Sequence, residues 1–193
     1  MSRGGVLAFL LLSLLAATAE AQSLRIADRR TAKTVSAATL LADPATRTVT
    51  IDDPVYRRSM SYRAIPVSEL LKGLAVDADD YVQLTATDQF SIGVPARLLM
   101  RPQALVAIED PAQPWPALPG KGAQTAGPFF VIWQDSPRDA ISSEYWAYEL
   151  GALQVTDSPY KRWPVLGVGE DVTATDPVRR GLDRYVTLCI ACH

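Results

Sequence analysis

Residues 189–193 read Cys-Ile-Ala-Cys-His, and they hold both cysteines and the single histidine of a 193-residue chain. The spacing C-x-x-C-H is the pattern at which c-type haem is attached. The two thiols bond covalently to the porphyrin, and the imidazole becomes an axial ligand of the iron. Two cysteines and one histidine scattered at random over this length give that pattern in about one arrangement in twenty thousand, which sets accident aside. Cys189 and Cys192 are therefore assigned to covalent haem attachment and His193 to the iron. A Cys189–Cys192 disulfide, or thiol exchange through the same pair, stands as the competing chemistry and leaves the adjacent histidine without a role. Zinc wants four ligands, and only three are gathered here.

With its one histidine committed to iron, the chain has no Ser-His-Asp or Cys-His arrangement for hydrolysis. The carboxylates Asp52 and Asp53 are adjacent on a strand-like run, so they point to opposite faces and read as a surface feature. Asp77 to Asp80, "DADD", reads as a solvated turn without calcium-loop spacing. The run "GKGAQTAG" around Lys121 could offer backbone N–H groups to an anion, but it matches no phosphate-binding motif and reads as a flexible loop. Trp133, Tyr145, Trp146 and Tyr148 could line a pocket, with core packing as the default. Outside the first residues the methionines are Met60 and Met100, the only thioethers available to the iron's remaining face, and packing is the default for both.

The compartment is read from the start of the chain. Arg3 precedes an apolar run from Val6 to Leu15, and Ala19-Glu20-Ala21 supplies a small-x-small cleavage site before Gln22. The run is shorter than the roughly 20 residues of a membrane span. Residues 1–21 are therefore expected to be a cleaved secretory signal, with an uncleaved anchor as the alternative. Covalent haem attachment of this kind takes place in the bacterial periplasm, so the two signals agree. Net charge is −2, and removing Arg3 and Glu20 leaves it unchanged. Nothing in that balance asks for nucleic acid or an anionic membrane as partner.

The elements that must position the motif alternate along the chain. "TVSAATLLAD" and "IPVSELLKGL" have helical spacing, the second with Pro66 at its entry and Gly73 at its end. "RTVTI", "YVQLTAT", "FSIGV", "ALVAIE" and "PFFVIWQ" read as strands, with a turn at Asp88-Gln89. "PARLLM" is a short helix, the Pro- and Gly-rich stretch 110–127 a loop, and "EYWAYELGALQV" strand or helix. Residues 157–175 lack periodicity and read as a linker. Asp176 is then a good N-cap, Pro177 suits a first helical position, and Val178, Leu182, Tyr185, Val186 and Cys189 fall on one face of a helix that runs into the haem motif.

The stretch "RGLDRYVTLCIACH" resembles the first helix and haem motif of class I c-type cytochromes, with Gly181 eight residues and Tyr185 four residues before the first cysteine. The resemblance implies thioether bonds at Cys189 and Cys192, His193 as proximal ligand, and a helix that crosses closely over a later one. It also implies that the cytochrome domain continues past His193. Residues 34–155 resemble the molybdopterin-binding domain of sulfite-oxidase-type oxidoreductases. The matching features are Tyr62 before the pair Leu70-Leu71, and the turn Asp88-Gln89-Phe90 before a strand. Gln89 stands where that family has glycine, the molybdenum-ligating cysteine has no counterpart, and no histidine is free for cofactor phosphate. The resemblance thus implies the fold without the metal chemistry, and molybdopterin is disfavoured.

The expected organisation is a signal peptide (1–21), an α+β domain of sulfite-oxidase type (22–156), a linker (157–175) and the first helix of an all-α cytochrome c domain (176–193). The expected function is periplasmic electron transfer by haem c, with the redox-silent domain docking a redox protein partner, such as a molybdoenzyme, or holding a ligand. The alternatives are an accessory subunit or enzyme of the molybdopterin class, and a non-redox binding module closed by the disulfide.

Overall fold

Nine strands make up most of the regular secondary structure in a computed structural model, which describes residues 22–135, 141–169, 171–173 and 175–190. The signal-peptide reading of 1–21 falls outside those residues. The strands are β1 (Ser23–Ala27), β2 (Ala32–Ser36), β3 (Arg47–Asp53), β4 (Arg58–Pro66), β5 (Tyr81–Ala86), β6 (Ser91–Pro95), β7 (Ala104–Ile108), β8 (Phe129–Trp133) and β9 (Leu150–Thr156). They form a five-stranded sheet in the order β2-β1-β9-β5-β6 and a four-stranded sheet in the order β3-β4-β7-β8. All pairings are antiparallel except β1 with β9.

Strand patterning decides which faces meet. In β5, β6 and β9 the residues Val82, Leu84, Ile92, Val94, Leu153 and Val155 point inward, while Gln83, Gly93 and Gln154 alternate outward. Period-2 alternation of this kind builds a sheet with one buried face. By contrast, β7 ("ALVAI") and β8 ("FFVIW") are buried at every position. Ala104, Val106, Ile108, Phe129, Val131 and Trp133 enter the sandwich core between the sheets. Leu105, Ala107, Phe130 and Ile132 enter a second core on the other side, under the loop that carries Trp115, Leu118 and Ala126.

Four of the five helices are single turns: α1 (Ala37–Leu41), α2 (Val67–Leu70), α3 (Ala96–Leu99) and α4 (Pro159–Arg162). Three of them begin as a strand ends, with Ser36, Pro66 and Pro95 as the junction residues. Helices this short have no stability of their own. The first three persist because Leu40, Val67, Leu70, Ala96 and Leu99 plug the ends of the sandwich core. Gly73, at φ +83°, releases the chain after α2. The fifth helix, α5 (Pro177–Leu188), opens as expected, with the Asp176 carboxylate accepting the Val178 N–H at 2.8 Å.

This architecture corrects the expected fold class. The body is a predominantly β two-sheet structure rather than α+β, because the helix-like pieces are one-turn caps on strands. "TVS" of the first such piece is in β2 and pairs with β1. Among the described residues the all-α part is the single helix α5, laid against the sheet body. The undecided stretch 144–155 is a 3-10 turn (Ser143–Tyr145) followed by β9. The stretch read as linker contains α4 and a further 3-10 turn, Pro164–Leu166. No helix among the described residues is long and apolar enough to cross a membrane.

Candidate functional site

The motif hangs from the end of α5, so the docking of that helix sets its position. Arg179, Asp183, Val186 and Thr187 face the body. The Arg179 guanidinium lies over the Tyr160 ring, 5.1 Å from its centroid. The Tyr160 hydroxyl donates to Asp183 at 2.6 Å, and the Tyr145 and Thr187 hydroxyls meet at 3.2 Å. Val186 is the one buried side chain of the helix. The expected apolar face therefore splits: Val186 is covered, while Val178 is 60% and Tyr185 39% exposed. The physical reason is that the surface under α5 presents phenol hydroxyls from Tyr145 and Tyr160, which select the helix's polar flank.

Cys189 caps the helix, and both its N–H and that of Ile190 donate to the Tyr185 carbonyl, at 2.9 and 3.1 Å. Its thiol is partly exposed and carries no disulfide. Cys192 and His193 lie outside the described residues, so only the first of the three assigned residues has a described position.

Next to Cys189, Ile190 forms part of a groove of about 300 Å³ on the outer face of the five-stranded sheet. Its walls include Tyr81, Phe90, Gly93, Arg162 and Trp163. Phe90 and Trp163 are 46% and 42% exposed, which is high for side chains of this size. Gly93 sits mid-strand in β6, opposite Gln83, where a Cβ would meet the Tyr81 ring at 3.4 Å. Burial pushes the Tyr81 phenol up to about 12, with a smaller push from Tyr145, so it stays protonated. The Arg162 guanidinium stacks on Trp163, 4.5 Å from the ring centroid. Asp157 is also at the rim, where it accepts from Arg29 and Lys161.

A larger cavity, about 550 Å³, opens where β3 overhangs the sandwich. It is lined by Asp52, Asp135, Trp133 and Trp146, with the hydroxyls of Ser59 and Ser143. Its neighbour of about 420 Å³ shares Val55, Ser143 and Trp146 with it. These donors do not fit molybdopterin. That group needs a sulfur ligand for its metal and positive charge for its phosphate, whereas the described lining offers carboxylates and no cysteine, lysine or arginine. No step is assigned to it.

Several single-residue expectations change. Asp52 is exposed, but Asp53 is buried: its carboxylate accepts from the Val55 and Tyr56 N–H groups and from the Tyr62 hydroxyl at 2.6 Å. Burial and this neighbouring carboxylate push the Tyr62 phenol far up. Asp80 is no solvated turn residue. It binds the Arg29 guanidinium through both oxygens, and Arg29 continues to Asp157. That clamp joins the β1–β2 turn, the start of β5 and the end of β9. Met60 is packed in the second core, and Met100 is exposed at the end of α3. Trp133 and Tyr145 are core residues, the Trp133 Nε1–H donating to the Tyr145 carbonyl at 3.0 Å.

The groove residues Gly93 and Trp163 were not singled out from sequence, and Phe90 was named only as part of the Asp88-Gln89-Phe90 turn. A signal existed in "FSIGV", since a glycine inside a strand often marks close approach of a ligand or another backbone. No family model matches the chain, and no curated protein matches it in sequence.

Proposed function

We propose that the chain is a c-type haem protein that carries electrons outside the cytoplasm, holding its cofactor through Cys189, Cys192 and His193. The observation that carries this reading is that Cys189, the first residue of the C-x-x-C-H run, is the C-cap of a well-capped helix and is partly exposed. The donor set fits the group: two thiols for two thioether bonds and a neutral imidazole for iron. When bound, haem supplies a one-electron couple between ferrous and ferric iron.

The chain's own residues do the positioning. Asp176 and Pro177 start α5, Val186 and the phenols of Tyr145 and Tyr160 hold it on the sheet, and its end presents Cys189. The β body supplies no redox group of its own in this reading; its role is to dock a redox protein partner. The proposed location is the periplasm, reached through the signal of residues 1–21.

The test is production in a periplasm with cytochrome maturation active, followed by intact mass and the reduced pyridine-haem spectrum. The expected outcome is a mass raised by one haem with a c-type band, both lost in Cys189→Ser with Cys192→Ser. A product two hydrogens light with no chromophore makes the pair a disulfide and ends the haem reading.

A further inference from the structure

We infer that the groove between β5, β6 and Trp163 is the seat of the attached haem, so that the β body forms part of the cofactor's environment. This rests on the haem reading above and adds the surface against which the ring lies.

The first argument is connectivity. The two thioether bonds come from the residue before Ile190 and the second residue after it, and Ile190 is itself a wall of the groove. A ring bonded through Cys189 starts one residue from that wall.

The second argument is shape. The outer face of β5 and β6 carries side chains at Tyr81, Gln83 and Ser91, yet Gly93 leaves a gap among them. Gly93 is not among the positive-φ glycines, so no backbone requirement explains it. Any larger residue would fill the floor against Tyr81. Glycine inside a strand costs stability and packs nothing, which fits a position that a ligand approaches. At about 300 Å³ the groove is near the lower end of the roughly 300–1,000 Å³ of small-molecule sites, suited to one part of a large flat group.

The third argument is chemistry. Phe90, Trp163 and Tyr81 offer aromatic surface to a porphyrin. Arg162 puts a positive charge at the rim, complementary to the two propionates haem carries. The rim carboxylate of Asp157 is already neutralised by Arg29 and Lys161. The rival surface is the outward side of α5, where Tyr185 and Leu188 are exposed.

The experiment uses the haem-loaded full chain and reads circular dichroism in the Soret band, normalised to haem content by the pyridine-haem spectrum. Amide hydrogen exchange over residues 89–94 is compared between the loaded chain and the haem-free Cys189→Ala, Cys192→Ala chain. The variants are Gly93→Val, which fills the floor with a strand-favouring residue, and Trp163→Ala, at an exposed position where folding is not at stake. Tyr185→Ser is the control on the outer side of α5. The expected result is a Soret signal at least halved in Gly93→Val and Trp163→Ala and retained in Tyr185→Ser. Exchange at 89–94 is expected to be about tenfold slower in the loaded chain. Haem present at full content with the signal unmoved by the first two variants, or moved by Tyr185→Ser instead, overturns the groove and leaves the haem reading intact. Absence of haem from the parent chain overturns both, and the haem assay alone identifies that case.

Discussion

Both sheets bury one face in the sandwich core, but their outer faces are finished differently. Over the four-stranded sheet, the loop that follows β7 folds down as a lid. Trp115 meets Tyr62 edge-on at 5.0 Å and Phe130 at 6.5 Å, while Tyr62 and Phe130 are 6.0 Å apart. Polar ties hold the lid's ends: the Glu109 carboxylate accepts the Trp115 N–H at 2.8 Å, and the Tyr56 hydroxyl accepts the Ala126 N–H at 3.0 Å. Over the five-stranded sheet, α4 and α5 lie across the face through phenol hydroxyls, one buried valine and the Arg29 clamp. They leave the groove open beside Cys189. A face closed by interlocked aromatic rings contributes to global stability. A face closed by rim hydrogen bonds is able to move and to accept something.

The largest expected difference is at the lid. Trp115→Ala removes a buried indole from a three-ring cluster and is expected to cost about 3–5 kcal/mol, read from urea unfolding of the whole chain. A loss below about 1 kcal/mol would mean that the second core is decorative, and the contrast between the faces would collapse.

Next is the clamp beneath α4. Asp80→Asn removes a charged acceptor from Arg29 and should cost about 1–2 kcal/mol. The same carboxylate gives a pH signature. Arg29 holds Asp80 below the usual carboxylate range, and the backbone N–H groups of Ala75, Arg30 and Thr31 hold Asp28 well below it. A depressed folded-state pKa contributes stability that is complete above the unfolded value, near 4, and is lost as pH falls through the folded value. Thermal midpoints should therefore stay level from pH 7 to about 5 and drop below about 4. Asp80→Asn should flatten part of that drop. A midpoint that is constant down to pH 3 would remove these carboxylates from the account.

How far these two faces could be read from the sequence follows from what each is made of. Of the strands, β3, β5, β6, β7 and β8 were legible, because β7 and β8 are continuous apolar runs and β3, β5 and β6 alternate, whereas β2 read as helix, β9 was undecided, and β1 and β4 were not read. The N-cap at Asp176 was legible because its signal is local. The lid was not, since "DPAQPWPALPGKGAQTAG" has turn composition and its burial depends on Phe130 of β8 and on Tyr62, which is far away in sequence. Asp53 and Asp80 looked like surface acids because their partners come from elsewhere in the chain, Tyr62 from β4 and Arg29 from the β1–β2 turn. The apolar stripe of α5 misled in the other direction. Periodicity gives a helix its candidate face, but the body covers only Val186 of that stripe and takes Arg179, Asp183 and Thr187 beside it. The aromatic groove shares this non-local origin, while its one local clue, Gly93, was visible in "FSIGV".

At α5 the two closures diverge in kind. Val186→Ala deletes two carbons from the only buried side chain, costing about 1.6 kcal/mol by area, while alanine's helix preference returns about 0.5. The net of about 1 kcal/mol should appear as faster amide exchange confined to 177–190, with the urea midpoint of the β body nearly unchanged. If the whole chain loses stability together, α5 is part of the cooperative unit, and both faces are closed in the same way.

The smallest effect concerns the turns that bound each face. On the lid, left-handed backbone is taken by Gly120 and Gly122, at φ +76° and +63°. At the groove rim it is taken by Gln89, at φ +75°, in the β5–β6 turn. A side-chain-bearing residue in that region costs about 1–2 kcal/mol, whereas glycine's extra unfolded-state freedom costs about 0.5–1 kcal/mol. Gln89→Gly should therefore stabilise by about 0.5 kcal/mol, seen as a small rise in the urea midpoint. The Gln89 amide donates to the Thr87 carbonyl only at a long 3.4 Å, so little is lost with the side chain. A destabilising Gln89→Gly would show instead that the glutamine side chain holds the rim of the groove, which would make this turn, like Gly93, a position shaped by what the groove receives.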